Sequence, residues 1–571
     1  TGWRSAFGVR GVMLVVDGVP LTMPDGQAFA DVIDPSLVRS AEVIRGPASV
    51  FWGNASGGVI YLKTRPESTP FVRLRGMTGS YGERHVVGEA LIRTSDSGRL
   101  SLFGSHTGRD GYRDHSGGRF ERGGLHFRHR LGDRTFLSAT AAGALQDAEN
   151  PGGLTAAQVE SNRRQVDPVY VRSGAGKESL QLQAVVAIEH ALPLGTLSAS
   201  AFGVRRDLDN PLTFAFVEVD RLAGGGRVSF ASDRSKRLRW ALGADIGRQV
   251  DDRRNFENDA GVPGPTPTLD QLELVTNAAA FGYLTAEVIR HLDVSAGLRL
   301  DATRFEMEDR LVENGDESGD RSFTAWSPSI GVSYQVAPSV VIFANYATSF
   351  ETPTTTELVN RPDATGGFNP FLDPERSRGF EAGVRGRAGG VRFDFAAYRT
   401  IVHDLLLQSQ TDEGREYYRN AGSNRQAGLE ASVEASPLTD VVVLLAYALN
   451  DLRFRSGDLE GNQLPGVPQH RLFARARWTP GAFRFSPSLE WLSQYFVDDA
   501  NAASTPGYAL LTVHTAYDAT LTGALRLQPF LEVENALDAR YNASVVVNAA
   551  AGRFFEPAAG RVVRVGINLE F

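Results

Sequence analysis

The sequence predicts an all-β membrane fold, an antiparallel transmembrane β-barrel of about 22 strands preceded by a small α+β domain. Three observations carry that expectation. From Phe71 to the C-terminus, apolar and polar residues alternate with a period of two, as strands with two unlike faces require. Short turn signals alternate with longer polar connections, the asymmetry of an outer-membrane barrel rather than of two stacked sheets. The first stretch lacks that period and is punctuated by glycine, which divides the chain into residues 1–66 and 67–571. Closure is expected because open sheets beyond about ten strands curl or split, and because a closed wall has no edges to aggregate.

Val12 to Val16 reads as a strand, Asp17-Gly18 as a turn, and Thr22-Met23-Pro24-Asp25-Gly26-Gln27 as a loop rich in turn formers. Asp34 is placed to cap a short helical passage over Pro35-Ser36-Leu37-Val38-Arg39, with proline at its first position. From Glu42 to Thr64, strand residues Val43-Ile44 and Val59 to Leu62 flank Gly46-Pro47, Gly53 and Gly57-Gly58, where turns and close backbone approach are expected. The stretch ends in a strand, not in the Gly-Lys-Ser/Thr and helix of a phosphate-binding loop.

Beyond Phe71, Leu180, Leu182, Ala184, Val186 and Ile188 share one face, opposite Gln181, Gln183 and Glu189. Leu525, Leu527, Leu531 and Val533 repeat the pattern against Arg526, Gln528, Glu532 and Glu534; the last strand sets Val563, Val565, Ile567, Leu569 and Phe571 against Arg564, Asn568 and Glu570. Short turns are expected at Asp96-Ser97, Gly132-Asp133, Leu194-Gly195, Asp233-Arg234-Ser235, Arg290-His291, Ala337-Pro338, Gly389-Gly390, Ser436-Pro437, Pro480-Gly481 and Leu521-Thr522. Long loops are expected at 147–172, 251–271, 306–321, 351–376, 456–468 and 496–507.

Composition narrows the functional classes. With no cysteine there is neither a disulfide framework nor a thiolate site. Lys and Arg number 59 against 67 Asp and Glu, a net charge of −8, so no basic field invites nucleic acid. The longest apolar run, Val441 to Leu449, is bounded by Asp440 and Asn450-Asp451 and falls short of the roughly 18 residues of a membrane helix. There is no Gly-x-Ser-x-Gly, His-Glu-x-x-His or P-loop, so no enzyme is expected. No metal site is assigned: His126 and His129 point to opposite faces of a strand, and the acidic stretch 306–320 lacks EF-hand spacing. Thr1-Gly2-Trp3-Arg4 shows no signal peptide, and the chain is expected to be a fragment of a longer one.

Several stretches carry a resemblance. Val15-Val16-Asp17-Gly18-Val19-Pro20-Leu21, followed by Glu42-Val43-Ile44-Arg45-Gly46-Pro47, Trp52-Gly53 and Ala55-Ser56-Gly57-Gly58-Val59-Ile60, resembles the second half of the plug domain of TonB-dependent outer-membrane transporters. Asn345 to Thr354, Asn369 to Ser377, Asn420-Ala421-Gly422 with Gly428-Leu429-Glu430, and Val533 to Tyr541 are similar to barrel segments of that family. The closing aromatic, Phe571, resembles the signal read by the outer-membrane barrel assembly machinery.

The resemblance implies a bacterial outer-membrane barrel, monomeric and surrounded by lipid, whose lumen holds residues 1–66 as the C-terminal half of a plug. A TonB-type inner-membrane energy-coupling complex would drive active uptake of a scarce ligand, although the coupling box is not among these residues. Met23-Pro24-Asp25-Gly26-Gln27 looks like the plug loop of ferric-chelate receptors, which points to a ferric siderophore or related iron chelate. Cobalamin, haem, copper or an oligosaccharide are alternatives, as is a passive porin-like channel if the shortened plug leaves the lumen open. No intrinsic cofactor is expected, iron entering only as part of the cargo.

By the same resemblance, ligand contacts are expected from Met23, Asp25 and Gln27 on the plug and from Arg113, His115, Arg163, Arg164, Tyr170, Asn360, Arg361 and Asn369 on the loops. Arg and Tyr suit an anionic or catecholate chelate through charge-assisted bonds and stacking. Glu42 and Arg45, buried at the plug boundary, need partners. Glu532 and Glu534 on the inner wall are expected to supply a plug–barrel lock, with a charge pair inside the plug as the alternative.

Overall fold

The computed structural model describes residues 9–46, 49–64, 69–232, 235, 237–359, 361, 367–410, 416–420, 422–522 and 525–571. Counting Tyr508–Tyr517 and Ala519–Thr522 as one interrupted strand, 22 antiparallel strands close into a single barrel, from Phe71–Gly79 to Val562–Glu570. The seam joins the last strand to the first, with Ile567 opposite Gly76. Phe571 finishes it: its N–H donates to the Val72 carbonyl at 2.9 Å, and its carbonyl accepts from the Val72 N–H at 3.2 Å.

The two faces of the wall are inverted relative to a water-soluble sheet. Leu182, Val186 and Ile188 are 48, 53 and 42 % exposed on the outside, while Gln181 and Gln183, on either side of Leu182, are buried inside. Period two thus places the oily residues toward lipid and the polar ones toward the lumen.

One expected loop is absent. Residues 251–271 continue the ladder between Leu238–Asp259 and Val262–Ile289, 22 and 28 residues long against the roughly 10 that cross a bilayer. Ala260 and Gly261, both at positive φ, make the tight hairpin turn, with Asn258 Oδ1 accepting from the Gly261 N–H at 2.8 Å. The prolines at 263, 265 and 267 suggest a break, but the register shifts between Asn255 and Asn258 accommodate them as bulges. A bulge also moves the turn expected at Ser436-Pro437, because that strand runs on to Leu438. Two long connections escaped sequence reading, 404–422 and 535–561; each carries its own small hairpin.

Inside the barrel lies a four-stranded sheet in which β1 (Val12–Val16) is flanked by β2 (Val19–Pro20) and β4 (Gly58–Lys63), with β3 (Ser40–Arg45) outermost beside β4. Asp34 caps the Pro35–Leu37 turn as its sequence suggests, Oδ1 accepting from the Ser36 N–H at 2.9 Å. A single helical turn, α1 (Ser49–Trp52), carries the Trp-Gly motif to the wall. There Phe51 packs on Phe281 and Tyr283 at 6.0 and 5.0 Å, and Arg227 lies over Trp52 at 4.7 Å. Gly58, at φ +122°, is obligatory because a Cβ would stand 2.2 Å from the Ile44 carbonyl oxygen.

At the seam, Arg564 donates to Glu83 at 2.7 Å, Glu532 at 2.9 Å and Glu534 at 2.6 Å. Replacing it with leucine leaves three carboxylates facing one another without their cation and should cost about 1–3 kcal/mol. The unheated chain is expected to migrate on gels as a compact barrel that shifts on boiling, and Arg564→Leu to lower the temperature of that shift. An unchanged shift would count against a structural role for this cluster.

Candidate functional site: the plug apex, the wall around it and the loops above

The 22–28 loop rises from the plug sheet and lies against the wall. Met23 is buried with Val204 and Ala223. Asp25, 1 % exposed, accepts from Arg221 at 3.0 Å and from the Gln249 side-chain amide at 3.1 Å. Arg221 is held in turn by Asp251 at 2.6 Å, and the Gln27 N–H closes on Asp25 Oδ1 at 3.0 Å. Met23, Asp25 and Gln27 therefore anchor the plug apex in this state instead of presenting themselves to the outside.

Neighbouring contacts extend the belt. Asp31 pairs with Arg206 at 2.6 Å and Lys177 at 3.4 Å, while Arg206 also lies over the Phe29 ring at 4.2 Å. Burial would raise the Asp31 pKa, but Arg206 and Lys177 outweigh it and hold the carboxyl below its ordinary range. Further round, Arg10 at the start of the plug sheet is 4 % exposed and reaches Glu351 at 2.7 Å and Glu357 at 2.6 Å. Burial opposes its charge, and the two carboxylates prevail to hold the guanidinium above its usual range. Ser56 donates to Glu351, and Asn54 donates to Thr352 at 3.1 Å. Glu357 sits in the short helix Thr355–Val359, whose capping box with Thr354 is complete: Thr354 N–H donates to Glu357 at 2.8 Å, and Glu357 N–H to Thr354 Oγ1 at 3.3 Å. The plug is thereby wired to residues 351–357, where the strand Val340–Glu351 leaves the wall.

Two and three strands along the wall from Glu351, Arg45 reaches Asp394 at 3.5 Å and Glu430, and its side chain is 41 % exposed where burial was expected. This corrects the expected partners. Glu532 and Glu534 are taken by Arg564, and Glu42 faces Lys63 within the plug sheet at 4.0 Å. Sequence spacing could not choose among inward carboxylates, since every other position on many strands is a candidate.

The loop residues divide between scaffold and surface. Arg113 is buried, donating to the carbonyls of Gly152 at 2.5 Å and Gln165 at 3.0 Å. His115 Nε2 meets the Ala175 carbonyl at 2.8 Å, Arg163 donates to the Tyr541 carbonyl, and Asn369 is buried with its side-chain amide on the Tyr418 carbonyl at 3.3 Å. Tyr170 packs on Gly152. Arg164 stays exposed, its guanidinium 5.8 Å from the Tyr112 ring, and Arg361 is half-buried. Asn360 lies outside the described residues. Among the described residues no group of three or more His and carboxylates converges as a bound metal would require.

Sequence reasoning missed Arg10, Arg206, Arg221, Asp251 and Glu351. Only the helix carrying Glu357 left a readable signal, the Thr354-x-x-Glu357 capping box.

Comparison with known proteins adds relatives to this geometry. Residues 66–535 match the family described as TonB dependent receptor-like, beta-barrel, and residues 1–59 match the TonB-dependent Receptor Plug Domain. The chain is 24 % identical over 511 residues to the metal-pseudopaline receptor CntO of Pseudomonas aeruginosa strain UCBPP-PA14, across 78 % of this chain and 68 % of that one. Its fold superimposes on the unliganded ferric citrate transporter FecA with a TM-score of 0.84 at 18 % identity, covering 99 % of this chain and 90 % of that one. The ferric yersiniabactin uptake receptor FyuA from Yersinia pestis gives 0.82 at 18 % identity, over 98 % and 89 %. The copper transporter OprC also gives 0.82 at 18 %, over 99 % and 92 %.

The belt can be loosened in two ways, by removing a cation or by acid. Arg221→Met removes the cation between two buried carboxylates, Asp25 and Asp251, and should cost about 3–5 kcal/mol. The plug apex then loosens and the ion conductance of the chain in planar bilayers rises; an unchanged current would show the belt to be dispensable. The second concerns acid. Because the Asp31 pKa is lowered in the folded state, its contribution is present above the unfolded value of about 4 and lost as pH falls through the folded one. Conductance should climb below about pH 4, and Asp31→Asn should abolish that acid dependence.

Proposed function

Because the chain belongs to the TonB-dependent receptor family of outer-membrane transporters, we propose that its cargo is an anionic metal chelate, a ferric siderophore or related iron chelate. The observation that carries the substrate class is the likeness, over 78 % of the chain, to a receptor for metal-pseudopaline. The exposed Arg164 beside Tyr112, with Tyr170 in the same loop system, supplies the cationic and aromatic chemistry that such a chelate needs at the outer mouth. Iron enters as cargo, with no resident cofactor.

The outer membrane has no ATP or ion gradient of its own, so work must come from an inner-membrane energy-coupling partner acting on the plug. Charge contacts suit that task. Ligand bound above residues 352–357 would bear on Glu351 and Glu357 and hence on Arg10, while a pull from below would act across Arg45 and Glu430. A passive channel is disfavoured by the contacts that tie the plug to well-separated strands of the wall. The protein works as a monomer, inserted by the barrel assembly machinery.

Cells producing the full-length protein should take up radioiron presented as ferric siderophores under iron limitation, and lose that uptake when the energy-coupling complex is deleted. Uptake indifferent to the coupling complex, or none for any ferric chelate while copper or cobalamin enters, would reject the proposal. In the same assay Arg45→Ala should slow uptake about tenfold, equivalent to about 1.4 kcal/mol, without weakening ligand binding to whole cells.

A further inference from the structure

At the inner mouth of the barrel, beside the seam, a cavity of 680 Å³ opens between the plug turn Pro35–Leu37 and the wall. Arg73, Arg75, Arg484 and Arg526 line it together with Ser36 and Leu37. Its position follows from the connectivity: Arg484 and Arg526 are each the second residue of a barrel strand, Phe483–Leu492 and Leu525–Glu534, and Arg73 and Arg75 sit near the start of the first barrel strand. The cavity is of the size that holds small ligands, about 300–1,000 Å³.

Positive charge is in excess here. Glu89 is shared by Arg39 at 2.7 Å and Arg73 at 2.5 Å. Glu570 is likewise shared by Arg73 at 2.5 Å and Arg526 at 3.5 Å, and Asp518 takes Arg484 at 3.1 Å. Four arginines of the lining thus meet its three carboxylates, one of which, Glu89, is also drawn on by Arg39; Glu532 and Asp34 act on Arg75 only from beyond ion-pair distance. Arg75 is the one left over. No carboxylate pairs with it among the described residues; its guanidinium lies 4.8 Å from the Phe530 ring, and its buried Nε has no hydrogen-bond partner. A planar donor fork held on an aromatic face and lacking its acceptor is suited to a carboxylate, which it can grip through two parallel hydrogen bonds.

We infer that this cavity is an exit site for carboxylate-bearing cargo, where an anionic chelate that has passed the plug is held by Arg75, Arg484 and Arg526 before release to the periplasm. The inference rests on the transport reading above and adds to it a second station, on the inner side and apart from the loops. A neutral solute gains nothing from these groups, so the site also favours anionic cargo.

The chain contains no cysteine, so Thr520→Cys, labelled with an environment-sensitive fluorophore, reports on this cavity alone. The labelled chain in detergent is titrated with citrate, with ferric citrate and with the neutral trisaccharide raffinose. The expected result is a saturable change with both citrates and none with raffinose, the half-saturation concentration rising about tenfold in Arg75→Gln/Arg484→Gln. Should the double variant fail to assemble, Arg75→Gln alone carries the same expectation. An equal response to raffinose, or a citrate response unaltered by losing Arg75, overturns the proposal. Because the signal is read without transport, failure here leaves the uptake experiment standing, and failure of uptake with citrate binding intact rejects the transport reading instead.

Discussion

The hydrogen bonds between the last strand and the first are the interaction on which the rest depends. In hydrocarbon an unpaired backbone group costs several kcal/mol, so a sheet of this size persists in a membrane only if Val562–Glu570 finds Phe71–Gly79. Phe571 and Val72 extend that pairing to the end of the chain. Closure then dictates the alternation of faces, since each strand must show lipid one row of side chains and the lumen the other. It also creates the difficulty that the N-terminal sheet answers, because a bore of this circumference admits water and solutes unless something occupies it.

The plug is fastened by charge and hydrogen bonding as well as by apolar packing. Asp25 with Arg221, Asp31 with Arg206, Arg10 with Glu351 and Glu357, and Arg45 with Glu430 each join plug to wall. All but the Arg45 pair are withdrawn from water, and such ion pairs are weak contributors to net stability, since desolvation offsets most of their attraction, yet breaking one partner away is expensive. Such contacts fix one position sharply while adding little to overall stability. That combination serves a stopper that must fit closely and still be moved.

The two ends of the barrel are built differently. Outside, the connections brace one another: Arg163 reaches the backbone at Tyr541, Arg553 pairs with Asp167 at 2.6 Å, and Asn548 with Asp499 at 2.8 Å. Inside, the turns are too short to cover anything, and the plug's β3 is an exposed edge strand. The outer end is therefore where a ligand would be captured, and the inner end is open to whatever leaves.

Local pattern was enough to determine the wall. Period two, the short turns and the Asp34 cap depend on neighbours within a few residues, so strand identity, facing and approximate number were legible, and the Glu42 to Thr64 motif marked the plug. The misread places have local causes as well, prolines absorbed by bulges at 263–267 and 437. What the sequence could not state was which inward side chains meet. Asp25 finds Arg221 from 196 positions away, and Arg10 finds Glu357 from 347. Arg45 takes Glu430, not Glu532 or Glu534. Those pairings are set by the height of each strand in the wall and by the rotation of the plug inside it, quantities that exist only once the barrel has closed.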